Sequence, residues 1–146
     1  MMIRRRFAAA LGVAAFGIVL AASWFVATPA LAAGGELVLV AGASGRTGKE
    51  VVTQLVARNY RVRALVRDVA KAQGTFPAGV ELVVGDVRES GSLNRSMKGV
   101  KYVISTIGAG GGPRGEAGNG PEEIDFQGVA NLAAAAKKAR VKHFVL

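Results

Sequence analysis

The chain contains no cysteine and only one histidine, two tyrosines and one tryptophan. Without cysteine there is no disulfide framework, no thiol nucleophile and no Cys-based zinc site. A single histidine, His143, supports neither a metal cluster nor a Ser-His-Asp triad. It begins a predicted strand and reads as a surface residue. The tyrosine shortage matters because many reductases donate a proton from a Tyr whose pKa is depressed by a Lys four residues later. Ala64 stands four residues after Tyr60, and Thr106 four after Tyr102, so neither tyrosine forms that pair. No catalytic residue is assigned from the sequence.

Acidic residues are also scarce. Ten Asp and Glu face nineteen Lys and Arg, for a formal charge of +9. A basic balance suits an anionic cofactor or nucleic acid. The second reading is disfavoured, because the basic residues are scattered over several segments. Only Lys137, Lys138, Arg140 and Lys142 cluster, around the end of a predicted helix where cations complement the dipole. No aromatics interleave with them to stack on bases.

What is present begins with a bipartite N-terminus. Arg4-Arg5-Arg6 precedes an almost uncharged apolar stretch, Phe7 to Val26. Pro29 and the small-x-small run Ala30-Leu31-Ala32 follow. This is the layout of a bacterial export signal cleaved after Ala32, which implies a periplasmic protein. Arg4-Arg5-Arg6-Phe7 also fits a twin-arginine signal. The alternative is a retained inner-membrane anchor, since the stretch is long enough to span a bilayer. Removing residues 1–32 takes away three arginines and no acid, leaving 114 residues with a charge of +6.

Residues 33–146 alternate strand and helix patterns, enough for one α/β domain with a parallel sheet. Strands are predicted at Glu36–Ala41, Tyr60–Val66, Val80–Val84, Val100–Ile107 and Val141–Leu146. Helices are predicted at Thr47–Arg58, Ser90–Lys98 and Pro121–Ala139. The first has Val51, Val52, Leu55 and Val56 inward, the second is capped by Ser90 or Ser92, and the third has Pro121 at its first position. The expected fold is a Rossmann-type, doubly wound parallel sheet of about five strands in the order 3-2-1-4-5. The chain stops within its fifth strand, so it reads as the N-terminal part of a longer protein. A short complete protein would leave a strand edge and a helix face uncovered.

Between the first strand and first helix lies Gly42-Ala43-Ser44-Gly45-Arg46-Thr47-Gly48. In a strand–turn–helix the first glycine permits the sharp turn. The second admits a pyrophosphate close to the backbone, and the third lets helix and strand pack closely. Free N–H groups of the first helical turn then face the anion. The candidate dinucleotide-binding residues are therefore Gly42, Ser44, Gly45, Arg46, Thr47 and Gly48.

The residue after the second strand selects the cofactor. An acid there bonds the ribose hydroxyls of NAD, whereas an arginine receives the 2′-phosphate of NADP. This chain has Arg67 and then Asp68. Arg67, with Arg46 in the glycine loop, favours NADP, and Asp68 keeps NAD as the lesser option. The alternative for Arg67 is a solvated strand end. Asp86 and Val87, after the third strand, are placed to accept from the adenine amino group and to cover its ring. An Asx turn or a helix cap would use Asp86 as well. Thr106 and Gly108, at the end of the fourth strand, are placed to line the ribose and nicotinamide. Gly108–Gly120 is a long glycine-rich connection at the same sheet edge, either part of the ligand site or a simple surface crossing.

Val40-Ala41-Gly42-Ala43-Ser44-Gly45-Arg46-Thr47-Gly48, Val62-Arg63-Ala64-Leu65-Val66-Arg67-Asp68 and Gly85-Asp86-Val87 resemble the atypical short-chain dehydrogenase/reductases. The resemblance is to their NAD(P)H-binding, NmrA-like branch, which holds flavin/biliverdin reductases and plastid Tic62-type proteins. Asp125-Phe126-Gln127-Gly128-Val129-Ala130-Asn131-Leu132 and Val141-Lys142-His143-Phe144-Val145-Leu146 extend it over residues 36–146. It implies an NADP(H)-binding domain of an NAD(P)H-dependent oxidoreductase, or a non-catalytic NADP(H) sensor or assembly factor. An export signal is atypical of that branch, and its usual Ser-rich continuation past this last strand is absent here.

Overall fold

The computed structural model describes residues 35–111 and 118–146. The predicted export segment 1–32 and the centre of the glycine-rich connection lie outside the described residues. Five parallel strands form one sheet: β1 (Leu37–Ala41), β2 (Arg61–Val66), β3 (Glu81–Val84), β4 (Tyr102–Ser105) and β5 (His143–Val145). Their order is β3-β2-β1-β4-β5, as expected from the alternating pattern. Four helices cross between them: α1 (Arg46–Ala57), α2 (Val69–Ala72), α3 (Ser90–Ser96) and α4 (Val129–Lys138). Among the described residues no helix is long and apolar enough to cross a membrane.

Period-two alternation on β1 divides the core. Leu37, Leu39 and Ala41 face one side, with Leu93, Met97 and Leu132 of the α3–α4 layer. Val38 and Val40 face the other, with Val52, Val62 and Ala64 and the flanking Val51, Leu55 and Val56 of α1. Both faces of the central strand are covered, which is why its sequence is continuously apolar. Leu39, Val52, Leu93 and Leu132 are fully buried. Each contributes about 1.5–3 kcal/mol by leaving water.

Three local expectations are corrected. A short α2 follows β2, capped by Asp68, whose Oδ1 accepts the Lys71 N–H at 3.2 Å. Four residues are too few to leave a periodic signal. The serines do not cap α3. Glu89 precedes it, and the Ser92 hydroxyl instead accepts the Asp86 N–H and shares its single proton between the Asp86 and Glu89 carbonyls. The predicted helix Pro121–Ala139 is two segments, a π-helical turn at Glu122–Gly128 running into α4. The wider turn seats Gly128 against Val87, where a Cβ would lie 2.9 Å from Val87 Cγ2. A 3.6-residue hydrophobic period does not register that inserted residue.

At the amino-terminal edge of the sheet, Glu36 ties the starts of β4 and β5 to β1. Its carboxylate accepts from Lys142 Nζ at 2.7 Å and from the Tyr102 hydroxyl. The Tyr102 ring stacks on His143 with centroids 5.8 Å apart. The bonds from Lys142 and then Tyr102 hold the Glu36 carboxyl below the usual carboxylate range, and Glu36 in turn pushes Lys142 and Tyr102 up. A lowered Glu pKa gives stability that is present above the unfolded value, about 4.3, and is lost as pH falls through the folded one. Glu36→Gln is therefore expected to lower the urea midpoint at neutral pH. The gap to wild type should close below about pH 4. A gap that stays constant with pH would show that the ionised carboxylate contributes nothing there.

Candidate functional site

Parallel strands bring every strand-to-helix connection to the carboxyl edge of the sheet, beside the switch point between β1 and β4. There β1 ends in a turn that only glycine fits at two places. Gly42 has φ +76°, and a Cβ on it would lie 2.8 Å from the backbone of Thr106 and Ile107. A Cβ on Gly48 would lie 2.2 Å from the Gly42 carbonyl oxygen. The fold itself thus demands the first and third glycines of the loop. Gly45 differs: its φ of −69° and ψ of 167° suit any residue, and a Cβ would meet only the Gly42 oxygen, at 3.2 Å.

Gly45 precedes α1 without a side-chain cap, and the first turn of that helix carries no acid. The N–H groups of Arg46, Thr47 and Gly48 precede the first intrahelical bond, Lys49 N–H to Gly45 carbonyl. The positive end of a twelve-residue helix therefore opens at the sheet edge, with no side-chain cap and no acid in its own first turn.

An open cleft of about 150 Å³ begins at this turn. That is well below the roughly 300–1,000 Å³ of pockets that engulf a whole ligand, so the cleft holds part of a ligand along an open edge. Among the residues predicted from sequence, Gly42, Ser44, Gly45, Arg67, Asp86, Val87, Thr106 and Gly108 line it together. Arg46 and Thr47 are exposed beside it, and Gly48 is buried beneath the turn. Asp68 is not part of the wall, its carboxylate being turned to the N-terminus of α2.

Asp86 is the most strongly held side chain of the cleft. Its Oδ1 accepts the Arg88 N–H at 2.9 Å, an Asx turn, and its Oδ2 receives Arg88 Nη2 at 2.5 Å. The Arg88 guanidinium keeps the carboxyl below its ordinary range, with Arg67 adding a smaller pull. Arg88 also donates to the Gly118 carbonyl and to Asn119 Oδ1, so it joins the β3 end to the far end of the glycine-rich connection.

Several wall residues were not singled out individually by the sequence, though Ala109 and Asn119 fall in the Gly108–Gly120 connection expected at this edge. Ile107, Ala109, Asn119 and Ile124 line the cleft. Ile124 comes from the π-helical turn, and the neighbouring Asp125 accepts the Ala109 N–H at 2.9 Å. The glycine-rich connection therefore borders the cleft at both of its described ends. Among the described residues no group of His, Cys, Asp and Glu is placed to hold a metal. Tyr60 and Tyr102 lie at the opposite edge of the sheet, and so does His143.

A switch-point cleft, a glycine turn and an unopposed helix N-terminus define a Rossmann-type nucleotide-binding domain. Residues 42–146 match the family described as NAD(P)H-binding, and the chain belongs to that family. It is 34% identical over 107 residues to the photosystem II assembly factor Ycf39 of Trieres chinensis, covering 73% of this chain and 32% of that protein. It is 35% identical over 112 residues to the NAD(P)H azoreductase of Xenophilus azovorans, covering 75% of this chain and 34% of that one. The chain thus spans about a third of the length of these relatives. Among solved structures, the Bordetella bronchiseptica enzyme WbmG in complex with NAD superposes with a TM-score of 0.63 at 22% identity. The overlap covers 80% of this chain and 38% of that enzyme, a likeness of fold.

Proposed function

We propose that this chain is the NADP(H)-binding domain of an NAD(P)H-dependent oxidoreductase. The observation that carries the cofactor choice is the division of labour after β2. Arg67 lines the cleft, while the neighbouring Asp68 caps α2 and is absent from the wall. An arginine at that position suits a 2′-phosphate, and a carboxylate committed elsewhere does not serve ribose hydroxyls. The residues present fit a dinucleotide. In this reading the α1 N-terminus and Gly45 hold the pyrophosphate, with Gly42, Gly48, Ser44, Arg46 and Thr47 shaping the turn. Asp86 and Val87 border the adenine, and Thr106 and Gly108 the nicotinamide side. When bound, the reduced cofactor supplies a hydride; these residues bind it, orient it and leave one face of the cleft open.

Titration of NADPH and NADH against the chain, followed by cofactor fluorescence, tests the reading. NADPH is expected to bind roughly tenfold to a hundredfold more tightly, the effect of about 1.4–2.8 kcal/mol from ionic contacts. Equal affinities would overturn the NADP assignment, and no binding of either would overturn the site.

A second reading, a non-catalytic NADP(H) sensor or assembly factor, is supported by the 34% identity over 107 residues to a photosystem II assembly factor. NADPH binding without consumption by added azo-dye or flavin acceptors would favour that reading. We further propose that residues 1–32 direct export to the periplasm, with retention as an inner-membrane anchor the alternative, and that residues 33–146 form the domain.

A further inference from the structure

The positive charge of this chain does not gather at the cofactor cleft. All five strands run the same way, so their starts and the ends of the crossing helices share the amino-terminal edge of the sheet. Arg58 and Arg61 stand there at the start of β2, Lys98 and Lys101 before β4, and Lys137 and Lys138 at the end of α4. All six are exposed. The acids of that edge, Glu36 and Glu81, are already matched, to Lys142 at 2.7 Å and to Arg63 at 3.0 Å. None of the six makes an ion pair among the described residues. Elsewhere among the described residues acids and basic residues balance, seven against seven. The fold has therefore sorted the charge, leaving one basic face about 20 Å wide across five strands.

Two further observations say what that face meets. Tyr60, one of the few large apolar side chains left 39% exposed, lies in it. A ring with a polar tip beside lysines and arginines suits the headgroup level of a bilayer. The chain also enters the domain here. Gly35 is seated so tightly on Asn59 and Tyr60 that a Cβ would lie 2.2 Å from the Asn59 oxygen. The apolar run ending at Val26 lies nine residues earlier, at most about 30 Å of extended chain away. Under the anchor alternative for residues 1–32, the tether would carry this face, and not the cleft, toward the membrane surface.

We propose that the amino-terminal edge of the sheet docks on an anionic phospholipid surface, with the cofactor cleft turned away from it. The inference is independent of what the cleft binds. Each Lys or Arg near an anionic leaflet adds about fivefold in affinity, and the attraction extends over a Debye length of about 8 Å at physiological salt.

The absence of cysteine allows a clean test in the full-length chain. An environment-sensitive dye is attached at Lys101→Cys on this face or at Glu122→Cys on the opposite edge. Vesicles are phosphatidylcholine alone or mixed with phosphatidylglycerol. The dye at position 101 is expected to respond at far lower concentrations of mixed than of neutral lipid, and the dye at 122 to neither. Adding Arg61→Gln, Lys137→Gln and Lys138→Gln should raise the mixed lipid needed for half-response about a hundredfold, three charges at about fivefold each. Salt of about 1 M, where the Debye length is about 3 Å, should act likewise. These three residues lie outside the cleft, so NADPH titration of the same variant is expected to match wild type and reports its folding. Equal response to neutral vesicles, no response at 101, or an unchanged triple variant would overturn the proposal. Tighter binding of an RNA or DNA oligonucleotide, displacing the vesicles, would assign the face to nucleic acid and overturn it too.

Discussion

Gly45→Val is expected to weaken NADPH binding by at least about a hundredfold while leaving the fold intact. The loop contains three glycines with three different needs. At Gly42 and Gly48 the protein's own backbone occupies the place of a Cβ, at 2.8 and 2.2 Å. At Gly45 the φ and ψ are ordinary, the residue is exposed, and the nearest obstacle is a single carbonyl oxygen at 3.2 Å. A few tenths of an ångström of adjustment accommodate a side chain there, at a stability change of about 1 kcal/mol or less. In the proposed site the methyl groups of valine would then stand where a pyrophosphate approaches the α1 N-terminus. Each charge-assisted bond lost there is worth about 1.5–3 kcal/mol, so one or two account for a hundredfold. Gly48→Val is the companion control, expected to unfold the domain because the helix cannot retreat from β1. Fluorescence titration and thermal melts of the two variants separate the cases. Unchanged NADPH affinity in folded Gly45→Val would remove the phosphate from this turn.

Arg67→Ala should erase most of the preference for NADPH over NADH, a loss of roughly tenfold to a hundredfold for NADPH alone. Arg67 lines the cleft just past β2, where the adenosine ribose of a dinucleotide on this loop would lie. It can form paired bonds to a 2′-phosphate, whereas NADH presents no such group. Arg46 is exposed beside the cleft, outside its wall, so its part in the preference should be the smaller. Because Arg67 is exposed, salt should weaken NADPH binding more than NADH binding. Competition titrations of both cofactors at low and high salt read all of this. Equal weakening of both would make Arg67 a general support of the wall. A switch of preference upon Asp68→Ala would return the ribose to that carboxylate.

Much of the fold was legible because its signals are local. Glycines three residues apart after an apolar run, helices of more than two turns and β-branched strands each depend on neighbours in sequence. The cleft-facing ends of β2, β3 and β4 were legible for the same reason: an α/β alternation implies which end of each strand carries the open edge of the sheet. The π-helical turn, α2 and the bonding of Ser92 to Asp86 were not. Ser92 faces Asp86, which needs a bond only because the chain turns there after β3. The alternative for Asp86, an Asx turn with Arg88, was open from the spacing, but the reach of Arg88 to Gly118 and Asn119 spans about thirty residues and left no local trace.

By itself the sequence determined the parallel α/β domain, its strand count and the place of the glycine turn, because hydrophobic period and backbone stereochemistry act within a few residues. Tertiary structure decided which glycines the fold needs and which one it leaves open to a ligand. It placed Arg67 on the wall and Asp68 on α2. It also sorted basic residues that are scattered along the chain onto one edge, joining Glu36 to Lys142 across more than a hundred residues. The reason is geometric. Parallel strands bring all their starts to one side and all their ends to the other, so residues far apart in sequence become neighbours only once the sheet has formed.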